Sequence, residues 1–221
     1  MAVQFYNAGY PGDNTEKILA RLEKDVFSCK PSLVVLQCGT NDAINPRALV
    51  PEEVFRKNIA LLAEKILGKG SALILIAPPP CIEDEVRKRY DFPLLPGEEK
   101  GKLDSALRCY GEIMGEFARE KDLPFMDLFR IFEGRGKLGN SPESLIRNFA
   151  NSNTSDGAHP TIEGHKLIAR FLSNLIISRG MDFSTTVFLG DSITSGYPFP
   201  GMGTMQGSNF PSFTAQTLNG E

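Results

Sequence analysis

Short apolar runs rich in Val, Ile and Leu recur along this chain without alternating with polar residues: Val3 to Ala8, Leu33 to Cys38, Ala72 to Ala77, Pro124 to Leu128 and Thr186 to Leu189. Such runs read as strands covered on both faces, which is the pattern of a parallel sheet. Between them lie longer stretches with helical spacing. Asn14 to Phe27 carries Ile18, Leu19, Leu22 and Val26 on one face, and Pro51 to Leu67 carries Val54, Phe55, Ile59, Leu62, Ile66 and Leu67. Lys102 to Glu120 and Thr161 to Ile177 complete the set. Asp13 and Asn14 offer capping oxygens to the first helix, Pro51 with Glu52 and Glu53 suits the start of the second, and Pro160 and Glu163 suit the start of the last. Strands alternating with helices predict a doubly wound, three-layer α/β/α sandwich. In such sheets ligands bind beyond the carboxyl ends of the strands. The polar motifs stand there: Asn7 to Gly12 after the first run, Gly39-Thr40-Asn41-Asp42 after the second and Gly190-Asp191-Ser192 after the last. Pro78 to Gly101 and Tyr197 to Gly207 read as irregular, either surface loops or borders of a cleft.

Composition narrows the function classes. A chain of 221 residues fits one α/β domain with a full core, and 41% hydrophobic with 23% charged residues is ordinary globular usage. A net charge of −3 with no long Lys/Arg run provides no footprint for nucleic acid, so no nucleic-acid partner is expected. No apolar run reaches membrane-spanning length and no export signal is visible, so no membrane span is expected and the sequence suggests a cytoplasmic protein. Cys29, Cys38, Cys81 and Cys109 lack CxxC spacing and read as reduced thiols, consistent with that compartment. Gly201-x-Gly203-x-x-x-Gly207 has the wrong spacing for a dinucleotide fingerprint, and no GxxxxGK[ST] occurs. Neither a cofactor nor a metal is called for, and no oligomeric state is specified.

A serine on a glycine turn after a buried strand is placed as a nucleophile, but its hydroxyl needs a base, and the base needs an orienting group. The chain offers two histidines. His159 stands in Asp156-Gly157-Ala158-His159-Pro160, a turn before a helix, where Asp156 and the imidazole can both face a cleft; alternatively the two are a turn former and a cap. His165, on the following helix, reads as a partly exposed helical residue with no catalytic part. Acyl transfer also needs donors aimed at the developing oxyanion. The backbone N–H of Ser192, the backbone N–H of Gly12 and the side-chain NH2 of Asn41 are available, although singly Gly12 also fits a turn glycine and Asn41 a loop-bracing amide.

Together these blocks resemble the SGNH hydrolases, also called GDSL esterases and lipases: Gly190-Asp191-Ser192-Ile193, Asn7 to Asp13 with Gly12, Gly39-x-Asn41-Asp42, and Asp156-x-x-His159-Pro160. The resemblance spans essentially the whole chain. It implies a flavodoxin-like five-stranded parallel sheet, with Ser192 as nucleophile, His159 as general base and then acid, Asp156 as its orienter, and Ser192, Gly12 and Asn41 as the oxyanion hole. The implied activity is a serine esterase acting on a small-molecule ester through an acyl-enzyme; carboxylesters, lysophospholipids, thioesters and acetylated carbohydrates all fall within it.

The order of the blocks departs from the family, which begins with Gly-Asp-Ser. Here that block comes last, so the chain reads as a circularly permuted single domain over 1–221, in which 1–180 is the original C-terminal part and 181–221 the original N-terminal part. The strand at Thr186 to Leu189 is then expected at the centre of the sheet, between Val3 to Ala8 and Leu33 to Cys38. Two other functions compete: a phosphoesterase holding a divalent cation with Asp42, Asp156, His159 and Asp191, and a non-catalytic binding module on the same fold. Phe92, Leu94, Leu95, Phe199, Met202 and Met205 are candidates for an acyl-binding wall, or simply for loop packing.

Overall fold

A computed structural model describes residues 3–92, 101–136 and 138–220. Its elements run, in chain order, β1 (Gln4–Gly9), α1 (Thr15–Asp25), a 3-10 turn (Phe27–Cys29), β2 (Leu33–Gln37), α2 (Thr40–Ile44), α3 (Glu52–Gly68), β3 (Ala72–Ile76) and α4 (Glu83–Tyr90). There follow α5 (Lys102–Glu120), β4 (Phe125–Met126), α6 (Leu128–Glu133), α7 (Phe149–Ser152), α8 (Ile162–Ser178), β5 (Thr185–Gly190), α9 (Ser192–Ser195) and α10 (Phe210–Asn219). The strands form one sheet in the order β1-β5-β2-β3-β4, and every pairing is parallel. β5 therefore lies between β1 and β2, as the family resemblance implies, and carries its last residue, Gly190, into the middle of the sheet's carboxyl edge.

The unbroken apolar runs have the expected cause. Val34, Leu36, Leu73, Leu75, Val187 and Leu189 face one layer, packed with Ile18 and Leu22 of α1, Phe55, Ile59, Leu62 and Ile66 of α3, and Ile113 and Met114 of α5. Their neighbours Leu33, Val35, Ile74, Ile76 and Phe188 face the other, with Ile168, Leu172 and Ile176 of α8, Phe132 of α6 and Phe210 of α10. Alternate side chains thus point to opposite faces and both are dry. Each fully buried Leu, Ile or Phe stabilises the sandwich by about 1.5–3 kcal/mol before conformational entropy is counted.

Local signals mostly act as read. Asn14 caps α1, accepting from Lys17 N at 3.1 Å, while Asp13 instead pairs with Arg21 at 2.7 Å. Three expectations need correction. Gly39 to Asp42 is not a loop, because Thr40, Asn41 and Asp42 open the short helix α2. The stretch Pro78 to Gly101 is not irregular throughout: it contains α4, whose acidic first turn (Glu83, Asp84, Glu85) and basic last turn (Arg87, Lys88, Arg89) complement the helix dipole. Positions 93–100 of that stretch, with Leu94 and Leu95, lie outside the described residues. The fourth strand is cut to two residues because Asp127 caps α6, accepting from Arg130 N at 3.0 Å.

Candidate active site

Ser192 opens α9 immediately after β5. Asp191, the residue between strand and helix, caps the turn by accepting from Ile193 N at 2.8 Å. The turn is tight: a Cβ on Gly190 would lie 2.2 Å from Thr194 Oγ1 and 2.3 Å from the Gln37 carbonyl. Only glycine fits there. The opposite wall is the turn before α8, where Gly157 adopts φ +78° against the Ile82 carbonyl. Asp156 Oδ1 accepts from the backbone N–H groups of Ala158 (3.1 Å) and His159 (3.0 Å), which fixes the turn and the carboxylate together.

These two turns bring three of the expected residues into a chain of contacts. His159 Nε2 is 2.9 Å from Ser192 Oγ, and His159 Nδ1 is 2.7 Å from Asp156 Oδ1. With Nδ1 donating to the carboxylate, Nε2 is left as the acceptor of the serine hydroxyl proton. All three are nearly enclosed, at 8%, 5% and 1% exposure, yet Ser192 and His159 line an open cleft of about 360 Å³ together with Gly12 and Asn41. The backbone N–H groups of Gly12 and Ser192 make no hydrogen bond to another described residue. Asn41 donates one side-chain N–H to the Asp13 carbonyl at 2.9 Å; its only other contact as donor to a described residue is a long one, 3.5 Å, to Asp191 Oδ2. Asn45 Nδ2 donates to Asn41 Oδ1 at 2.7 Å and so sets the direction of that amide.

Two arginines of the site carry no motif in the sequence. Arg89, from α4, and Arg147 reach Asp156 Oδ2 at 2.9 and 3.4 Å. Burial would raise the Asp156 carboxyl, but the hydrogen bond and charge of His159, with the charge of Arg89, outweigh it and hold the group well below the usual carboxylate range. Arg89 also lies 3.3 Å from His159 Nδ1. Because that nitrogen donates to Asp156, the guanidinium's own hydrogen bond goes to the carboxylate. The Tyr197 ring packs over the imidazole at 4.9 Å between centroids. Arg89 sits among other charged residues in a stretch that reads as irregular, so no sequence signal separates it from its neighbours.

The remaining candidates are dispersed. Asp42 Oδ1 is taken by Thr15, at 2.9 Å from its N–H and 2.6 Å from its hydroxyl, and Asp191 caps α9. Burial raises both carboxyls, Asp42 to about 6 and Asp191 to about 7. Neither is gathered with Asp156 and His159: among the described residues no group of three or more His, Cys, Asp or Glu side chains is arranged to hold a metal ion. Of the expected acyl wall, neither Phe92, Phe199, Met202 nor Met205 lines the cleft. Phe199 instead packs edge-on to His165 and under Arg147. His165 itself is fully buried, not partly exposed, because α8 turns it into the layer beside Phe210. Among the described residues neither of its ring nitrogens has a hydrogen-bond partner, and burial, with the charge of His159 adding, pushes its pKa down to about 3.

Residues 1–172 match the family described as GDSL-like lipase/acylhydrolase. The chain belongs to this family. Its relatives include an uncharacterized lipoprotein, YqeF, of Bacillus subtilis, 28% identical over 73% of this chain and 69% of that protein. An acetylxylan esterase of Geobacillus stearothermophilus is 24% identical over 77% of this chain and 70% of its own length. Among solved structures, the lipase/acylhydrolase of Enterococcus faecalis superposes with a TM-score of 0.58 at 24% identity, covering 78% of this chain and 74% of that one. The parallel five-stranded α/β architecture is thus that of GDSL hydrolases, and the chain is a serine ester hydrolase of the family. The family match ends at residue 172, before the segment that carries Ser192. No helix among the described residues is long and apolar enough to cross a membrane.

Proposed function

We propose that Ser192 is the nucleophile of this hydrolase, His159 its general base and then acid, and Asp156 the group that orients the imidazole. The observation that carries the reading is the unbroken chain from Ser192 Oγ through His159 to Asp156, opening on a cleft. In acylation, Ser192 Oγ bonds to the ester carbonyl carbon while its proton moves to His159 Nε2; the alcohol then leaves with that proton. In deacylation, water gives a proton to the same nitrogen and attacks the acyl carbon, and Ser192 Oγ departs by taking the proton back. The charge on the carbonyl oxygen is met by the unspent N–H groups of Gly12 and Ser192 and by the weakly held N–H of Asn41. The modest volume of the cleft, about 360 Å³, and the acetylxylan esterase among the relatives favour an ester of a small acyl group.

The chain is also read as one circularly permuted domain, with 181–221 the original N-terminal part. The order of motifs supports this, as does the topology: β5 and β1 are adjacent and parallel, and α10 packs on β1, so joining α10 to β1 would complete an ordinary βαβ unit. The four free thiols suit a reducing compartment such as the cytoplasm. A fluorophosphonate probe tests the mechanism: wild type is labelled at Ser192 and loses esterase activity, whereas Ser192→Ala is neither labelled nor active. Full activity in Ser192→Ala would overturn the assignment.

A further inference from the structure

The cleft that holds Ser192 and His159 is lined by three cations, Lys17, Arg47 and Arg89, and by no carboxylate among the described residues. The chain as a whole is acidic, with 27 Asp and Glu against 24 Lys and Arg, so a wall of one positive sign is not what composition alone would give. Three nearby acids are spent elsewhere, and Glu16, next to Lys17, does not line the cleft. Asp13 is paired with Arg21, Asp42 holds Thr15, and Asp156 lies behind His159 with Arg89 and Arg147.

Arg89 is thereby compensated, but the other two are not. Among the described residues Lys17 Nζ donates only to the Gly12 carbonyl, at 3.1 Å, and Arg47 makes no ion pair; both side chains are exposed to the cleft's solvent. Lys17 also stands in the first turn of α1, where the helix dipole disfavours a cation. Its position strengthens the field at the cleft and does nothing for the helix. Among the described residues the rest of the wall offers few aliphatic groups, only Pro11 and Ala48 beside Tyr90 and Tyr197, which suits a compact polar substrate better than a long acyl chain.

We infer that this cleft selects esters that carry an anionic group, a carboxylate, phosphate or sulfate, near the scissile bond, with Lys17 and Arg47 as its receptors. This rests on the hydrolase reading above. Exposed charge pairs of this kind are each worth a few-fold, so two of them give a preference of about tenfold that salt weakens.

The test compares kcat/KM for matched pairs, each corrected by the ester's own hydroxide rate: 4-acetoxybenzoate against methyl 4-acetoxybenzoate, and the 4-methylumbelliferyl monoester of glutarate against that of valerate. The first pair places the charge on the leaving group and the second on the acyl group. At least one pair is expected to favour the anion about tenfold in dilute buffer, and the ratio is expected to fall towards unity in about 0.5 M NaCl. In Lys17→Gln/Arg47→Gln the same ratio collapses in dilute buffer; being a ratio, it is insensitive to any loss of folded enzyme. A neutral ester hydrolysed through Ser192, with both corrected ratios near unity and indifferent to salt, would overturn the inference and leave the hydrolase intact. Failure to hydrolyse any of the four esters would overturn both.

Discussion

Replacing His165 by Phe isolates the acid-sensitivity that its burial builds into the fold. The ring is fully buried beside Phe199 and Phe210, neither nitrogen has a hydrogen-bond partner among the described residues, and its pKa falls from 6.5 to about 3. The sign follows directly. Between those two values the unfolded chain binds a proton at this position and the folded chain does not, so stability is present above the unfolded value and is lost as pH falls. The two pKa values imply a loss of about 2 kcal/mol near pH 5 and about 3 kcal/mol near pH 4. Phe cannot titrate. Its extra volume costs about 1–3 kcal/mol, and removal of two unpaired buried nitrogens offsets this, so near pH 8 the variant and wild type should be close. Urea unfolding at several pH values gives the difference in stability between the two proteins, in which titrating groups not coupled to His165 cancel. His165→Phe should gain on wild type by about 2 kcal/mol between pH 8 and pH 5, and His165→Leu, which avoids overpacking, should show the same pH-dependent gain. A difference that stays constant across this range in both variants would refute the reasoning.

Asp156→Asn, which keeps the shape but not the charge that orients His159, should lower kcat on the order of 10³–10⁴-fold with the fold intact by circular dichroism. Asp42→Asn keeps Oδ1 for Thr15 and removes a carboxyl raised to about 6 by burial. Wild type should therefore gain on this variant, by about 2 kcal/mol as pH falls from about 7 to about 4, in the opposite sense to His165; urea midpoints read this. Gly190→Ala sets a Cβ against the fixed Gln37 carbonyl and should cost about 3 kcal/mol or abolish soluble expression. Deleting 181–221 removes β5 from the middle of the sheet and strips both β1 and β2 of a partner, so a 1–180 fragment should show no cooperative melt.

The apolar runs, the helical spacing and the motif residues Ser192, His159, Asp156, Gly12 and Asn41 were all legible in the sequence, because two-sided burial imposes a local pattern and because a nucleophile, a base and glycine turns are recognisable residue types at strand ends. The fold class, the strand order inferred with the family's help and the pairing of Ser192 with His159 follow from that. What lay beyond the sequence depends on which surfaces meet. Arg89 and His165 have no distinguishing neighbours in the chain; one belongs to the site only because α4 packs beside the turn at Asp156, and the other is buried only because α8 and α10 close on the sheet. The same is true of the cleft's charge. Lys17, Arg47 and Arg89 come from three separate segments, and only tertiary packing sets them around one cleft that no carboxylate of a described residue lines. Local pattern thus determined where each element forms, and long-range packing decided which charges the reacting ester meets, since a residue's electrostatic surroundings are set by neighbours in space.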